Sequence, residues 1–388
     1  MRRHLRTALT AATAVALTAA LAAPALAAPA LAAPPGKAPG GHDATRQAIR
    51  AAVAEGVPGV TVTVRERRGG TWATTAGVGD LRTGEPRSTG DHYRIGSASK
   101  TFIATVLLQL EAEGELSLDD TVEKWLPGVV RGGDHDGRGI TIRQLLNLTS
   151  GVYDLLADKT FQRTYMLKEG FFRHRFDRKT PRELVAMALA NQRDFKPGTT
   201  WKYSNTNYIL AAMVIEKITG HPYGDAVEQR IIEPLNLTAT SVPRNRITVP
   251  RPSSRAYGKL ARTTTGPTYD VTEFRPSFAY SGEIISDSAD LNTFISALLR
   301  GEVLGPRQLK EMKTTVPTTK EKEGYGLGLR SYELTCGTTV WGHGGDIHGS
   351  STMAVTTDDG RHSLAVNFNG DWAGETKAVV EAEYCGDR

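Results

Sequence analysis

The segment Tyr93-Arg94-Ile95-Gly96-Ser97-Ala98-Ser99-Lys100-Thr101-Phe102 decides how this chain reads. Beyond it, Phe102, Ile103, Val106, Leu107 and Leu110 recur at helical spacing and Gly114 marks a stop, so a helix is expected to begin near Ser97 with those residues on one face. Residues three apart share a helix face, which brings the Lys100 amine within reach of the Ser97 hydroxyl. A serine at a helix start also places its own N–H and the positive end of the helix dipole where an oxyanion would develop. A hydroxyl attacks only when an adjacent base takes its proton, and lysine serves once burial depresses its pKa. The same residues equally fit Ser97 as an ordinary N-cap with Lys100 in solvent, so the rest of the chain has to decide.

Two further groupings bear on it. Tyr203-Ser204-Asn205 follows Lys196-Pro197-Gly198-Thr199 and precedes a helix expected over 207–219, ended by Gly220. A loop there presents a phenol and an amide to one cleft; beside a cationic lysine the phenolate is favoured and can relay a proton. Ser204 or Asn205 as a helix cap is the alternative. Gly342-His343-Gly344-Gly345-Asp346 closes a strand expected over 338–342. Its glycines permit close backbone approach, so that a substrate aligns beside the strand and a backbone N–H completes an oxyanion hole. A plain turn, or a metal site from His343, Asp346 and His348, are the other readings; zinc needs further ligands that the sequence does not offer, so no metal or cofactor is expected. Asp134-His135-Asp136 reads as a solvated loop.

Outward from these groups, the hydrophobic period assigns the architecture. Residues 43–55 read as a helix, and 60–64 and 71–77 as strands joined by the turn Arg65-Glu66-Arg67-Arg68-Gly69-Gly70. Thr180-Pro181-Arg182-Glu183 is a capping box that opens a helix to about Ala190, and 288–300 is a helix with Leu291, Phe294, Ile295, Leu298 and Leu299 inward. From Gly324 the period becomes two: strands are expected over 325–330, 338–342, 350–357 and 363–369, with a turn at Asp358-Asp359-Gly360, then a last helix over 375–383. Strands at both ends around a helical middle predict an α+β fold with one antiparallel sheet built from the two termini. The sheet lobe is expected over 43–95 and 280–386, with an inserted helical lobe over 96–279.

The 388 residues hold 39% hydrophobic residues and two cysteines, which excludes a mini-protein, a disulfide scaffold and a mostly disordered chain. The formal charge of +5 falls to +2 once Arg2, Arg3 and Arg6 are set aside, so charge gives no ground for nucleic-acid binding. Those arginines open a basic start followed by an apolar stretch from Leu9 to about Ala22. Small-residue cleavage sites follow at Ala25-Leu26-Ala27 or Ala30-Leu31-Ala32. Residues 1–32 thus read as a signal peptide, with an N-terminal membrane anchor as the alternative, and 33–42 as a leader. The expected product is secreted and free of a membrane anchor, since no later stretch reaches about 18 apolar residues. In that compartment Cys336 and Cys385 are expected to form a disulfide; two free buried thiols are the other reading.

Taken together, Ser97-x-x-Lys100, Tyr203-x-Asn205 and His343-x-Gly345 resemble, in order and spacing, the penicillin-recognising serine hydrolases that include class C β-lactamases. The chain is most similar to secreted bacterial D-alanyl-D-alanine carboxypeptidases. The resemblance runs from about Asp43 to Gly386 and includes Leu145-Leu146-Asn147-Leu148-Thr149-Ser150-Gly151-Val152-Tyr153, Tyr325-Gly326-Leu327-Gly328-Leu329-Arg330, and Cys336 with a second cysteine near the end. It implies the β-lactamase/DD-peptidase-like fold, Ser97 as acylated nucleophile, Lys100 as its activating partner, and Tyr203 as proton shuttle. Asn205 is implied to bind the substrate amide, and His343 to stand where many relatives place lysine. The oxyanion hole would be the N–H groups of Ser97 and Asp346, beside Gly345. Arg330 is implied to receive a terminal carboxylate, a task that suits a bidentate guanidinium, and Phe278 to line the pocket.

The resemblance thus predicts a monomeric serine D-Ala-D-Ala carboxypeptidase that cleaves peptidoglycan stem peptides through an acyl-enzyme on Ser97 and is inhibited covalently by β-lactams. Relatives carry a hydroxyl residue at the position of Asp346; a carboxylate there repels a substrate carboxylate and can pair with Arg330. That departure, with Gly344, keeps a D-stereospecific peptidase, D-aminopeptidase or esterase in play, and behind these a β-lactamase or a β-lactam-binding module without turnover. The chain contains no G-x-S-x-G, which disfavours an ordinary Ser-His-Asp α/β-hydrolase. The basic run Arg173-His174-Arg175-Phe176-Asp177-Arg178-Lys179 reads as a solvated surface, with anionic wall polymer as its alternative partner.

Overall fold

In the computed structural model, which describes residues 41–261 and 263–386, the two ends of the chain meet in one antiparallel sheet of eight strands. The signal-peptide reading lies outside the described residues. From the first part of the chain come β1 (Gly59–Arg65) and β2 (Thr71–Gly77). The last part supplies β3 (Val316–Pro317), β4 (Glu323–Tyr325), β5 (Arg330–Glu333), β6 (Thr339–Ile347), β7 (Ser350–Thr357) and β8 (Ser363–Phe368). Their order is β2-β1-β8-β7-β6-β5-β4-β3, and the seam between the two parts is the register Val60↔Phe368 to Arg65↔Ser363.

Five helices matter for the site: α1 (Asp43–Ala54), α2 (Ser99–Ala112), α3 (Asn205–Thr219), α4 (Ser288–Leu299) and α5 (Thr376–Cys385). Alternation in β1 assigns the sheet's faces. Val60, Val62 and Val64 are buried with Ile49 and Ala52 of α1 and Val379, Val380 and Tyr384 of α5. Thr63 belongs to the opposite side, where its carbonyl accepts from the Asn292 amide of α4 at 2.8 Å. Beneath α4, Phe102 of α2 stacks on Phe294 at 3.8 Å, a buried contact whose truncation to alanine would cost about 3–5 kcal/mol.

The expected helix at Ser97 differs in two ways. Gly96–Ala98 is a 3-10 turn and the α-helix starts at Ser99, so Ser97 precedes α2 and does not cap it. Eleven of the fourteen residues of α2 are buried, which makes it a core helix enclosed on most sides, with Ser99, Lys100, Thr101 and Thr105 among the buried residues. The capping box at Thr180 and Glu183 forms as expected and opens the helix Pro181–Leu189.

Other corrections trace to glycine. The 325–330 stretch is not one strand: Gly328, at φ +69°, turns the chain between β4 and β5. Conversely, β6 does not end at Gly342 but runs to Ile347, and the reversal comes at Gly349, φ +72°. Asp134-His135-Asp136 is no solvated loop. His135 is buried in a short hairpin and Asp136 holds Arg131 and Arg138. The basic run ends a helix (Lys168–His174), where Arg175 lies over the exposed rings of Phe172 and Phe176.

Two features position the site. β5 pairs with β6 only from Glu333↔Thr339 to Arg330↔Gly342, so among the described residues 343–347 have no strand neighbour on that side. Cys336, in the turn after β5, is disulfide-bonded to Cys385 at the end of α5, with Cα atoms 5.6 Å apart.

Candidate active site

Ser97 is placed by close backbone approach. A Cβ at Gly345 would stand 2.0 Å from the Ile95 carbonyl and 2.6 Å from the Ser97 nitrogen, and one at Gly96 would meet the Asp346 nitrogen at 2.8 Å. Only glycines at 96 and 345 let the turn carrying Ser97 lie on the open edge of β6, and Gly96 also needs its φ of +53°. The amides of Ser97 and Asp346 thereby become neighbours, the arrangement an oxyanion hole requires.

The amine of Lys100 lies 2.9 Å from Ser97 Oγ and 2.8 Å from Asn205 Oδ1, and the side chain is wholly buried. Burial pulls its pKa down to about 7; Asp154 opposes the fall and Arg330 adds to it. A substantial share of Lys100 is therefore a neutral amine at neutral pH, as a general base must be. The Tyr203 ring lies 5.1 Å from the Lys100 amine, and its side chain lines the same cleft as Ser97. Burial raises the Tyr203 pKa well above 10, outweighing the nearby Ser97 hydroxyl and the charge of Arg330. The favoured phenolate expected from the sequence is thus corrected: Tyr203 is a neutral phenol, equipped to donate a proton.

Asn205 is the first residue of α3, and Ser204 makes no capping bond. The free N–H of Asn205 is met instead by Asp154, whose Oδ1 accepts from it at 2.9 Å and from Asn205 Nδ2 at 3.2 Å. Sequence reasoning missed Asp154, which directly follows the Leu145–Tyr153 stretch; a carboxylate near a helix start was its only local signal.

His343 is buried on β6. Its Nδ1–H donates to the Gly344 carbonyl, which leaves Nε2 to accept from the Tyr325 hydroxyl at 3.1 Å. Burial, then the charges of Arg330 and Lys100, hold its pKa well below the ordinary value, so it contributes no positive charge. His348 turns elsewhere, with Nε2 on the Tyr165 carbonyl at 2.8 Å; the metal reading of His343, Asp346 and His348 finds no convergent geometry. Among the described residues no group of three or more His, Cys, Asp or Glu is placed to hold a metal.

Arg330 lies over the rings of Tyr203 and Tyr325, at 5.4 and 5.2 Å. Its partner is not Asp346. Nη1 stands 3.5 Å from the buried carboxylate of Glu323, which also holds Lys377 at 3.2 Å. Glu323 belongs to β4, and its part in the site had no sequence signal because the 325–330 stretch read as one strand. Asp346 is exposed in the cleft.

Ser97, Asn205 and Asp346 stand where two chambers meet. One is walled by Leu156, Phe161, Met166, Ile209 and Phe278. The other, the roomier of the two, runs along the open edge of β6 past Arg330, Glu323 and Lys377. Phe278 is buried against Tyr165 and Phe274, so its ring is a fixed wall. The arrangement suits acyl transfer: a nucleophile with a buried amine, a phenol on the same cleft wall, neighbouring amides, and two spaces that meet at the nucleophile.

A family model described as Beta-lactamase matches residues 45–380. The D-stereospecific amidohydrolase from Streptomyces sp. superposes with a TM-score of 0.85 at 56% identity, covering 90% of this chain and all of that one. The D-amino acid amidase from Ochrobactrum anthropi SV3 reaches 0.76 at 26% identity, over 87% of this chain and 96% of that one. A penicillin-binding protein of Bacillus subtilis (strain 168) is 28% identical over 302 residues, 74% of this chain and 63% of that protein; the chain spans 54% of a second from the same organism. With the fold, the ordered motifs and these likenesses in agreement, the chain belongs to the beta-lactamase family, as a penicillin-binding-protein-like serine hydrolase.

Proposed function

We propose that this protein is a D-stereospecific amidohydrolase that works through an acyl-enzyme on Ser97 and takes D-aminoacyl amides or short peptides with an apolar side chain. The observation that carries this over carboxypeptidase action is the charge arrangement: Arg330 is already engaged by Glu323, and the free carboxylate in the cleft belongs to Asp346. An α-ammonium group suits Asp346, whereas a leaving-group carboxylate meets repulsion there. The chamber with Phe161 and Phe278 suits an aromatic or branched side chain. The likeness to a D-stereospecific amidohydrolase over the whole matched chain supports the stereochemical part.

In the proposed reaction neutral Lys100 takes the Ser97 proton as Oγ bonds to the carbonyl carbon, and the oxyanion rests on the N–H groups of Ser97 and Asp346. Tyr203 gives its proton to the leaving amine as the C–N bond breaks, and regains one from Lys100. Water then adds to the ester carbonyl, its proton passing to this same pair, and Ser97 leaves with a proton returned to it. A DD-carboxypeptidase is the second reading, favoured by Arg330 at the wall of the polar chamber; in either case Ser97 is proposed to be acylated by β-lactams. Export of the protein is likewise proposed, on the strength of residues 1–32.

The test is a substrate panel: D- and L-phenylalanine amide, N-acetyl-D-phenylalanine amide, and acyl-D-Ala-D-Ala with its carboxylate free or amidated. Preference for the D-amide with a free amine is expected, with Ser97→Ala inert. Preference for the free-carboxylate dipeptide would move the assignment to carboxypeptidase.

A further inference from the structure

Asp154 contributes nothing to the mechanism above by direct contact, yet it stands one residue removed from the base. Its carboxylate has only acceptors, and it takes both the backbone N–H of Asn205, at 2.9 Å, and the Asn205 Nδ2 group, at 3.2 Å. The Asn205 amide has a single remaining face, Oδ1, and that face meets the Lys100 amine at 2.8 Å. A neutral amine has two N–H groups and one lone pair. An N–H committed to Asn205 Oδ1 leaves the lone pair free to face Ser97 Oγ, 2.9 Å away. With the amide reversed, Nδ2 would offer a donor to Lys100, and the lone pair would be drawn to Asn205 and away from the nucleophile.

The loop bearing Asp154 is itself held. Thr206 donates its hydroxyl to the Tyr153 carbonyl at 2.7 Å and accepts the Leu155 N–H at 3.0 Å, while Asp154 Oδ1 also takes the Leu156 N–H at 3.3 Å. One residue further into α3, Asn207 accepts from Ser150 at 2.8 Å and donates to the Leu145 carbonyl at 3.1 Å. The start of α3 and the 145–156 segment are thus stitched together by consecutive residues, with the carboxylate at the helix end where the dipole favours it.

We propose that Asp154 is a positioning residue that sets the polarity of the Asn205 amide and so aims the Lys100 lone pair at Ser97. This rests on the reading of Lys100 as the base. The other groups facing Lys100 are Tyr203 and Tyr208, whose rings lie 5.1 and 5.6 Å from its amine, with Arg330 and His343 at longer range. None of them is a carboxylate, so Asp154 supplies the negative charge that Lys100 feels.

The experiment follows kcat/KM against pH with a p-nitrophenyl ester, and the acyl-enzyme by intact mass, for the full-length protein, Asp154→Asn, and the swap Asp154→Asn/Asn205→Asp. The single variant is expected to lose about 100-fold in kcat/KM, the scale of a misplaced catalytic group, with its acid limb moved to lower pH. The swap restores an acceptor to Lys100 and a donor to its neighbour, so it is expected to regain most of the loss, with the acid limb moved to higher pH. A single variant with an unchanged rate or pH profile, or a swap no better than the single variant, overturns the proposal. Should Asp154→Asn fail to fold, Asp154→Ser removes the carboxylate with less bulk, and the same outcomes decide. If the unaltered protein forms no ester on Ser97, it is the acyl-enzyme reading that fails.

Discussion

Lys100 approaches Ser97 from inside the protein: its amine is 2.9 Å from Oγ, at the end of a side chain with no solvent exposure. Burial that draws its pKa down to about 7 makes it a base only above that pH, so kcat/KM is expected to rise through about pH 7. Tyr203, held well above 10, must stay protonated and imposes no fall up to pH 10. A pH–rate profile with a stable amide substrate checks both limbs.

The same burial is costly to the fold. Between about 7 and the ordinary 10.5 the unfolded chain holds a proton on Lys100 that the folded protein lacks, so this residue makes stability rise with pH across that window. Below 7 the penalty is complete. Lys100→Met is expected to raise the thermal midpoint at pH 6 while abolishing turnover, a trade typical of active-site groups. Calorimetry of the two proteins at pH 6 and pH 10 should show the larger gain at pH 6.

Glu323 occupies Arg330 and Lys377 together. Glu323→Gln frees both cations without altering shape, so substrates that end in a carboxylate should gain over their amidated forms. A shift of roughly fivefold in the ratio of kcat/KM values is expected, the yield of about 1 kcal/mol. An unaltered ratio would show that Arg330 does not meet the leaving group.

At Gly345 a methyl group would fall 2.0 Å from the Ile95 carbonyl, with backbone on both sides of the contact. Gly345→Ala is expected to cost roughly 1–3 kcal/mol in stability through overpacking and to suppress acylation by parting the Ser97 and Asp346 amides. Chemical denaturation and ester burst kinetics read the two effects separately.

The Cys336–Cys385 bridge closes a loop of 49 residues, for which chain entropy sets a contribution of up to about 4 kcal/mol. Cys336→Ser should lower the thermal midpoint, and reductant should lower that of the unaltered protein to the same value, with kcat little changed because the bridge lies beyond the closed end of β6.

Much of this site is local in the sequence. Ser97 and Lys100 are three residues apart on one turn, and Tyr203 and Asn205 two apart, so spacing alone placed each pair. What joins the pairs is not local. Asp154 reaches Asn205 across the start of α3, and Glu323 reaches Arg330 across a hairpin whose glycines looked like strand interior. The sequence marks one apolar face on the helix at Phe102, yet Thr101 and Thr105, outside that set, are also buried, with their hydroxyls on the carbonyls of Gly328 and Thr101. A buried hydroxyl that finds a carbonyl leaves no trace in a hydrophobic pattern.

The seam between β1 and β8 has a consequence for how the protein comes into being. Val60 must wait for Phe368, and Ser97 for the Gly345 edge that completes its amides, so no stretch shorter than nearly the whole described chain can assemble a working site. Such long-range pairing closes slowly, since loop entropy is lost before the contacts form. The nucleophile, made before its partners, therefore stays inert until β6 and β8 have followed it, and a chain cut short before β6 holds a serine and a lysine with nothing to make them an enzyme.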